Sequence, residues 1–126
     1  MISPSVRNKR LSKKRQRMST YRLEKLFTPR SIAIVGISPR PDSVGHIVLK
    51  NLRSGGFAGE LYLVDPHHDG IDGIAAVPNF ETLAPVPDLA VICVPAAVVP
   101  VVVGEAAAKG VGAAIIITAG LGHGAG

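Results

Sequence analysis

Apolar residues in this chain fall into short unbroken runs, and between the runs they recur with helical spacing. Ile32–Val35, Leu61–Val64, Leu89–Val94 and Ala113–Ile117 are continuous apolar runs. That is the pattern of strands covered on both faces, where a half-solvated strand would alternate. They predict strands over about 31–35, 60–64, 89–94 and 113–118, with a weaker short strand over 74–77. Val44, Ile47, Val48 and Leu52 stand at i, i+3, i+4 and i+8 and so line one face of a helix over 43–54. Ser43 is placed as its N-cap, because a serine hydroxyl accepts an orphan N–H of the first turn, and Gly55-Gly56 ends it. A second helix is predicted over 98–109, with Pro100 tolerated in its first turn and Gly110 as its cap. A turn of helix around Phe80–Leu83 and a short helix within 19–30, carrying Leu23, Leu26 and Phe27 and closed by Pro29, complete the list. The run Asp65-Pro-His-His-Asp-Gly70 reads as a loop.

Strands alternating with 10–12-residue helical stretches form βαβ units, whose crossovers are right-handed and whose sheet is parallel. The expected fold class is therefore α/β, a Rossmann-like parallel sheet with helices on both faces. Each strand then delivers its following loop to one edge, where open α/β sheets bind ligands. Four loops should converge there: 36–45, 65–70, 94–97 and 118–122.

Composition sharpens this reading in two ways. Apolar residues make up 47% of the 126, yet only three Phe and two Tyr are aromatic, which suits a Val/Ile/Ala/Leu core between a parallel sheet and its helices. The net charge of +5 is concentrated in a tail: seven of the 14 basic residues precede Met18 and no acidic one does. The remainder, with seven basic and nine acidic residues, is mildly acidic. Residues 1–18 are expected to be a disordered basic tail and residues 19–126 one domain. A transit peptide, a nucleic-acid-binding arm and a start codon read upstream of a true start at Met18 are all open for the tail, and the last is preferred. The single cysteine, Cys93, excludes an internal disulfide and fits a cytoplasmic protein. No apolar run approaches the roughly 20 residues of a membrane span.

The candidate chemistry sits in the first strand-to-helix connection. A strand, a glycine turn at Gly36 and a helix N-terminus beginning near Ser43–Gly45 form a place for an anion. A dinucleotide site needs G-x-G-x-x-G, whereas no second glycine follows Gly36 until Gly45 and Pro39 and Pro41 stiffen the turn. Asp65, at the end of the second strand, does stand where NAD enzymes hold a ribose-binding acid, so an NAD-binding oxidoreductase domain stays as the alternative. A Walker loop is excluded, because no Gly-Lys-Ser/Thr occurs.

Four motifs in register carry a resemblance. Gly36-Ile-Ser-Pro-Arg-Pro-Asp-Ser-Val-Gly45, preceded by Leu26-Phe-Thr-Pro-Arg-Ser-Ile-Ala-Ile-Val35, resembles the G-A-S-x-x-P-x-x-x-G loop of the CoA-binding domain of NDP-forming acyl-CoA synthetases. Tyr62-Leu-Val-Asp-Pro66 is similar to that family's Y-x-V-N-P. Val94-Pro-Ala-Ala-Val-Val-Pro100 is similar to its T/V-P-A-x-x-V-P, and Ile117-Thr-Ala-Gly120 to its I-S/T-A-G. The family includes ADP-forming acetate–CoA ligases and, more distantly, the succinyl-CoA synthetase alpha subunit; the same domain is fused into certain bacterial protein lysine acetyltransferases.

The resemblance implies binding of coenzyme A or an acyl-CoA. Gly36, Ile37 and Ser38 would approach the nucleotide, with Arg40 and the amides around Ser43, Val44 and Gly45 facing phosphate. Pro66 and His67 follow the second strand, with His67 where the family often has a basic residue. Val94, Pro95 and Ala96 would wall the adenine, and Ile117, Thr118, Ala119 and Gly120 would run along the pantetheine arm. Asp65 replaces the family's usual Asn, placing a negative charge where it would weaken phosphate binding or favour a ribose hydroxyl. The family domain continues through another helix and strand and then a domain with a phosphorylated histidine. The resemblance thus implies a C-terminally truncated fragment, inactive alone, whose catalysis needs a downstream domain or a partner ligase subunit with an ATP-grasp module, or an acetyltransferase domain. No catalytic residue and no metal site is assigned. His46, His67 and His68 read as solvated, Cys93 as core, and His123 as a terminal residue without a partner.

Overall fold

The computed structural model describes residues 25–117. Strands β1 (Ser31–Val35), β2 (Glu60–Val64), β3 (Gly70–Ile71), β4 (Ile74–Val77), β5 (Leu89–Ile92) and β6 (Ala113–Ile116) form one sheet in the order β3-β4-β2-β1-β5-β6. Helix α1 (Val44–Ser54) connects β1 to β2. Helix α2 (Val99–Lys109), entered through a 3-10 turn at Ala96–Val98, connects β5 to β6. Residues 25–27 are helical and end the short helix expected before β1. The basic tail and Thr118, Ala119 and Gly120 lie outside the described residues, as does His123.

β1 is the middle of this arrangement. It pairs in parallel with β2, from Ser31–Glu60 to Val35–Val64, and with β5, from Ile32–Leu89 to Val35–Ile92. Successive side chains on a strand face opposite ways. Ile32 and Ile34 therefore pack with Leu49 of α1 on one face, while Ala33 and Val35 pack with Val102 and Ala106 of α2 on the other. That double coverage explains why the β1 sequence shows no alternation. Among the described residues no helix is long and apolar enough to cross a membrane.

Three expectations are corrected. The sheet is mixed, because a short strand β3, starting at the last residue of the segment read as loop, pairs antiparallel with β4. Asp72 (φ 51°) and Gly73 (φ 83°) form the two-residue turn between them, the Asp-Gly hairpin signal with both central residues at positive φ. β5 stops at Ile92, two residues early. Cys93 still donates its N–H to the Val35 carbonyl at 2.8 Å, but Gly36 (φ 88°) turns the neighbouring strand away and the ladder ends. Residues 80–83 make a single turn, closed by the Leu83 N–H on the Phe80 carbonyl at 3.1 Å.

Asp88 anchors the edge of the sheet where the strands begin. Its Oδ1 accepts from Lys25 Nζ at 2.9 Å and its Oδ2 from the Arg30 amide at 2.9 Å. Its own amide donates to Ser31 Oγ at 3.0 Å, and its carbonyl accepts the Ala113 N–H. Desolvation alone would raise the carboxyl pKa, but the Lys25 hydrogen bond, the Arg30 amide and the nearby positive charges outweigh it and hold Asp88 below its ordinary 3.8. A carboxylate with a depressed folded-state pKa contributes stability that is fully present above the unfolded value and lost as pH falls through the folded one. Asp88→Ala should therefore cost about 2 kcal/mol at neutral pH, with the difference from the parent shrinking below about pH 4. Urea unfolding at a series of pH values measures this, and a pH-independent difference would contradict it.

Candidate functional site

The site is built where β1 ends. Gly36 lies between the ends of β2 and β5: its N–H donates to the Val64 carbonyl at 3.1 Å, and a methyl group on its Cα would sit 2.6 Å from the Cys93 carbonyl oxygen. Gly45, in the first turn of α1, lies against the Gly36 carbonyl so closely that any side chain there would overlap it. The two glycines of the loop motif thus let a helix start and a strand end pack backbone to backbone. Ser43 caps α1, accepting the His46 N–H at 3.3 Å, and donates its hydroxyl proton to the Ser38 carbonyl at 3.2 Å. The Arg40 amide donates to Ser38 Oγ at 3.2 Å, closing the loop on itself.

Asp65 joins this loop to the next one. The side chain is 7% exposed. Its Oδ2 accepts the Ile37 N–H at 2.9 Å, and its Oδ1 accepts the His67 and His68 N–H groups at 2.7 and 3.1 Å. His68 Nδ1 lies 3.2 Å from the same oxygen. Asp65 was expected to present negative charge to the ligand, but most of its accepting capacity is turned inward onto the backbone of both loops. That arrangement satisfies a buried carboxylate at the cost of little else. An asparagine here would offer one acceptor oxygen and would turn an NH2 group toward one of these donors.

Above these loops a cleft of about 840 Å3 opens at the ends of the strands. It lies where β1 connects toward β2 on one side while β5 continues the sheet on the other, the switch point at which open α/β sheets bind ligands. Of the expected site residues, Gly36, Ile37, Ser38, Ser43, Val44 and Gly45 line it from the first loop. Asp65, Pro66 and His67 line it from the second, and Val94 and Pro95 from the third. Arg40 stands off the cleft, with its side chain 76% exposed and paired to Asp42 at 3.3 Å. Ala96, in the 3-10 turn, and Ile117, packed on the α1 face of the sheet, are also outside the lining.

The cleft also takes residues that sequence reasoning missed. His68, Pro78 and Asn79 border it, Val98 faces it from the 3-10 turn, and Val101, Val102 and Glu105 face it from α2. The α2 positions repeat at i, i+3, i+4 and i+7, a helix face legible in the sequence. What pattern alone did not supply was that this face, half of it exposed valine, borders the loops. No lysine or arginine is among the described lining residues; the positive potential these residues supply comes from backbone N–H groups and the α1 N-terminus.

His46 is not solvated as expected. Its Nδ1 lies 3.2 Å from the Arg40 carbonyl and its Nε2 3.0 Å from Asp72 Oδ2, so it ties the first loop to the β3–β4 hairpin. Cys93 packs against the α1-side core as expected, and it also lines the cleft. Burial pushes its thiol up to about 11, which keeps it protonated at neutral pH.

Known proteins match the chain over the residues that form this cleft. The family model described as CoA binding domain matches residues 30–122. The chain is 40% identical over 98 residues to acetate–CoA ligase [ADP-forming] I of Archaeoglobus fulgidus, covering 78% of this chain and 14% of that one. It is 42% identical over 100 residues to acetate–CoA ligase [ADP-forming] of Methanocaldococcus jannaschii, covering 79% and 14%. The dinucleotide-forming acetyl-coenzyme A synthetase 1 of Ca. Korarchaeum cryptofilum superposes with a TM-score of 0.74 at 38% identity, over 79% of this chain and 22% of that one. The chain thus spans about a seventh of the length of these curated relatives.

Two outcomes follow from the packing. Gly36→Ala and Gly45→Ala should each destabilise the fold by at least about 2 kcal/mol, through a strained positive φ at the first and backbone overlap at both. Denaturant midpoints test this, and a loss within experimental scatter would contradict the close approach. Alkylation of the chain's one thiol by iodoacetamide should run about a hundredfold slower than that of a free cysteine at about pH 8. It should then climb about tenfold per pH unit, as expected for a pKa of about 11. A rate near that of free cysteine would refute the buried thiol.

Proposed function

The chain belongs to the CoA-binding domain family, and on that premise we propose that it binds coenzyme A or an acyl-CoA in the cleft at the ends of β1, β2 and β5. The observation that carries the proposal is the Gly36–Gly45 approach, which points the N-terminus of α1 and the loop amides into a cleft otherwise walled by apolar side chains. An anionic, partly apolar ligand suits such a cleft: phosphates meet N–H groups and the positive helix end, while adenine and the pantetheine arm meet Val94, Pro95 and the exposed Val98 and Val101. The amides around Ser38 and Ser43–Gly45 take phosphate, and His67, exposed at the rim, adds its ring. Ile117, Thr118, Ala119 and Gly120 are assigned to the arm on motif similarity.

Two observations favour this ligand over NAD. The loop keeps Gly36 and Gly45 nine positions apart, with two prolines between, in place of the dinucleotide spacing. The acid at the end of β2, which an NAD site directs at ribose hydroxyls, is here occupied with three backbone N–H groups.

In the whole protein we assign this domain to the nucleotide-binding part of an ADP-forming acid–CoA ligase, with a CoA-dependent acetyltransferase as the other setting. The ligase names of the relatives support the first. The only thiol facing the cleft is held protonated, so the residues described here bind and orient, and turnover belongs to an ATP-grasp module elsewhere. A reducing, cytoplasmic setting suits that thiol.

Calorimetric titration of the chain with CoA and, separately, with NAD tests the reading. Saturable CoA binding with no NAD response is expected, and NAD binding without a CoA response would overturn it.

A further inference from the structure

Helix α2 carries its cleft-facing stripe beyond the main cleft. A smaller cavity of about 410 Å3 continues along it, lined by Asn79, Phe80, Glu81, Glu105, Ala108 and Lys109. Asn79 and Glu105 are the two residues that line both cavities, so they mark one end of the main cleft. Beside them stand Val98 and Val101, large apolar side chains left 42% and 61% exposed.

The polar atoms of this pair have defined roles. Asn79 Oδ1 accepts the Thr82 N–H at 2.9 Å and the Thr82 hydroxyl at 3.1 Å. That fixes which end of the carboxamide is oxygen and leaves Nδ2 as a donor with no partner among the described residues. Glu105 likewise has no hydrogen-bond or ion-pair partner among them. Asp65, the other carboxylate lining the cleft, is satisfied by backbone. An uncommitted acid is out of place beside a polyanion unless it faces the part of the ligand that carries N–H groups.

We propose that Asn79 and Glu105 form a base-reading subsite: Asn79 donates to a ring nitrogen and Glu105 accepts from the exocyclic amine of an amino-purine lying on Val98 and Val101. A donor beside an acceptor matches the N1/N6 edge of adenine, where the amine adjoins the acceptor N1, and mismatches a 6-oxo purine at both positions, because its N1 carries a hydrogen and its O6 accepts. This subsite rests on the CoA-binding reading and specifies which end of the cleft holds the base.

The test uses the full chain, CoA, and the CoA analogue whose adenine is replaced by hypoxanthine. The wild-type chain should prefer CoA by about tenfold, toward the lower end for a paired base contact because Glu105 is exposed. Glu105→Gln, whose amide accepts or donates, should erase most of that preference. Asn79→Asp keeps the oxygen that caps Thr82 but loses the donor, and should shift the preference toward the hypoxanthine analogue. Circular dichroism confirms that each variant is folded. If both variants bind CoA with the wild-type preference, or if the wild type binds the two ligands equally, the subsite is refuted while CoA binding stands. If the wild type binds neither ligand, the functional reading fails and the subsite with it.

Discussion

The structure depends on one backbone contact, Gly45 seated against the carbonyl of Gly36. Side chains at either place would force the start of α1 away from the end of β1. The first turn of that helix, with its unpaired N–H groups, would then no longer border the cleft. The remaining loop contacts hold this approach in register. Ser43 caps the helix and binds Ser38, and His46 ties the loop to the β3–β4 turn through Asp72. Asp65 holds Ile37 from one loop and His67 and His68 from the next. Each bond is modest, about 1 kcal/mol net. Together they order a proline-stiffened loop that has already lost much of its unfolded-state freedom.

Charge in the cleft follows from the same design. Among the described residues that line the cleft there is no lysine or arginine. Arg40, the one arginine of the loop, faces solvent beside Asp42. Attraction then rests on oriented amides, whose dipoles act at close range and gain strength where water is displaced. Such a site discriminates by position more than by net charge, since an amide reaches only an oxygen placed against it. The buried Asp65 fits this arrangement, because its negative charge is met by the N–H groups that fix the loops.

Much of this was legible in the sequence. Continuous apolar runs marked β1, β2, β5 and β6, an apolar stripe and its caps marked α1, and Pro100 and Gly110 bounded α2, because burial on both faces and helix termini leave local signatures. The loop motif located the cleft through its two glycines. The failures share a physical cause. The role of Asp65 depends on three N–H groups from two separate loops, which no spacing reveals. His46 looked solvated because its partners, Arg40 and Asp72, are brought to it by tertiary packing. The β3–β4 hairpin was missed although Asp72-Gly73 between two isoleucines signals it, because strands of two and four residues fall below what periodicity resolves. The α2 contribution was written in its spacing, but only the fold shows that the stripe borders the loops.

The two edges of the sheet divide the work between them. Where the strands begin, Asp88 gathers Lys25, Arg30, Ser31 and Ala113, contacts that fasten β1, β5 and β6. Where they end stand exposed valines, with a glutamate and the Asn79 donor that have no polar partner among the described residues. A fold under selection for stability alone gains by covering the first and pairing the other two. Their survival on the same rim as the Gly36–Gly45 contact is the cost expected of a site that must stay open for a ligand, and it falls on the edge that the Asp88 anchor leaves free to bear it.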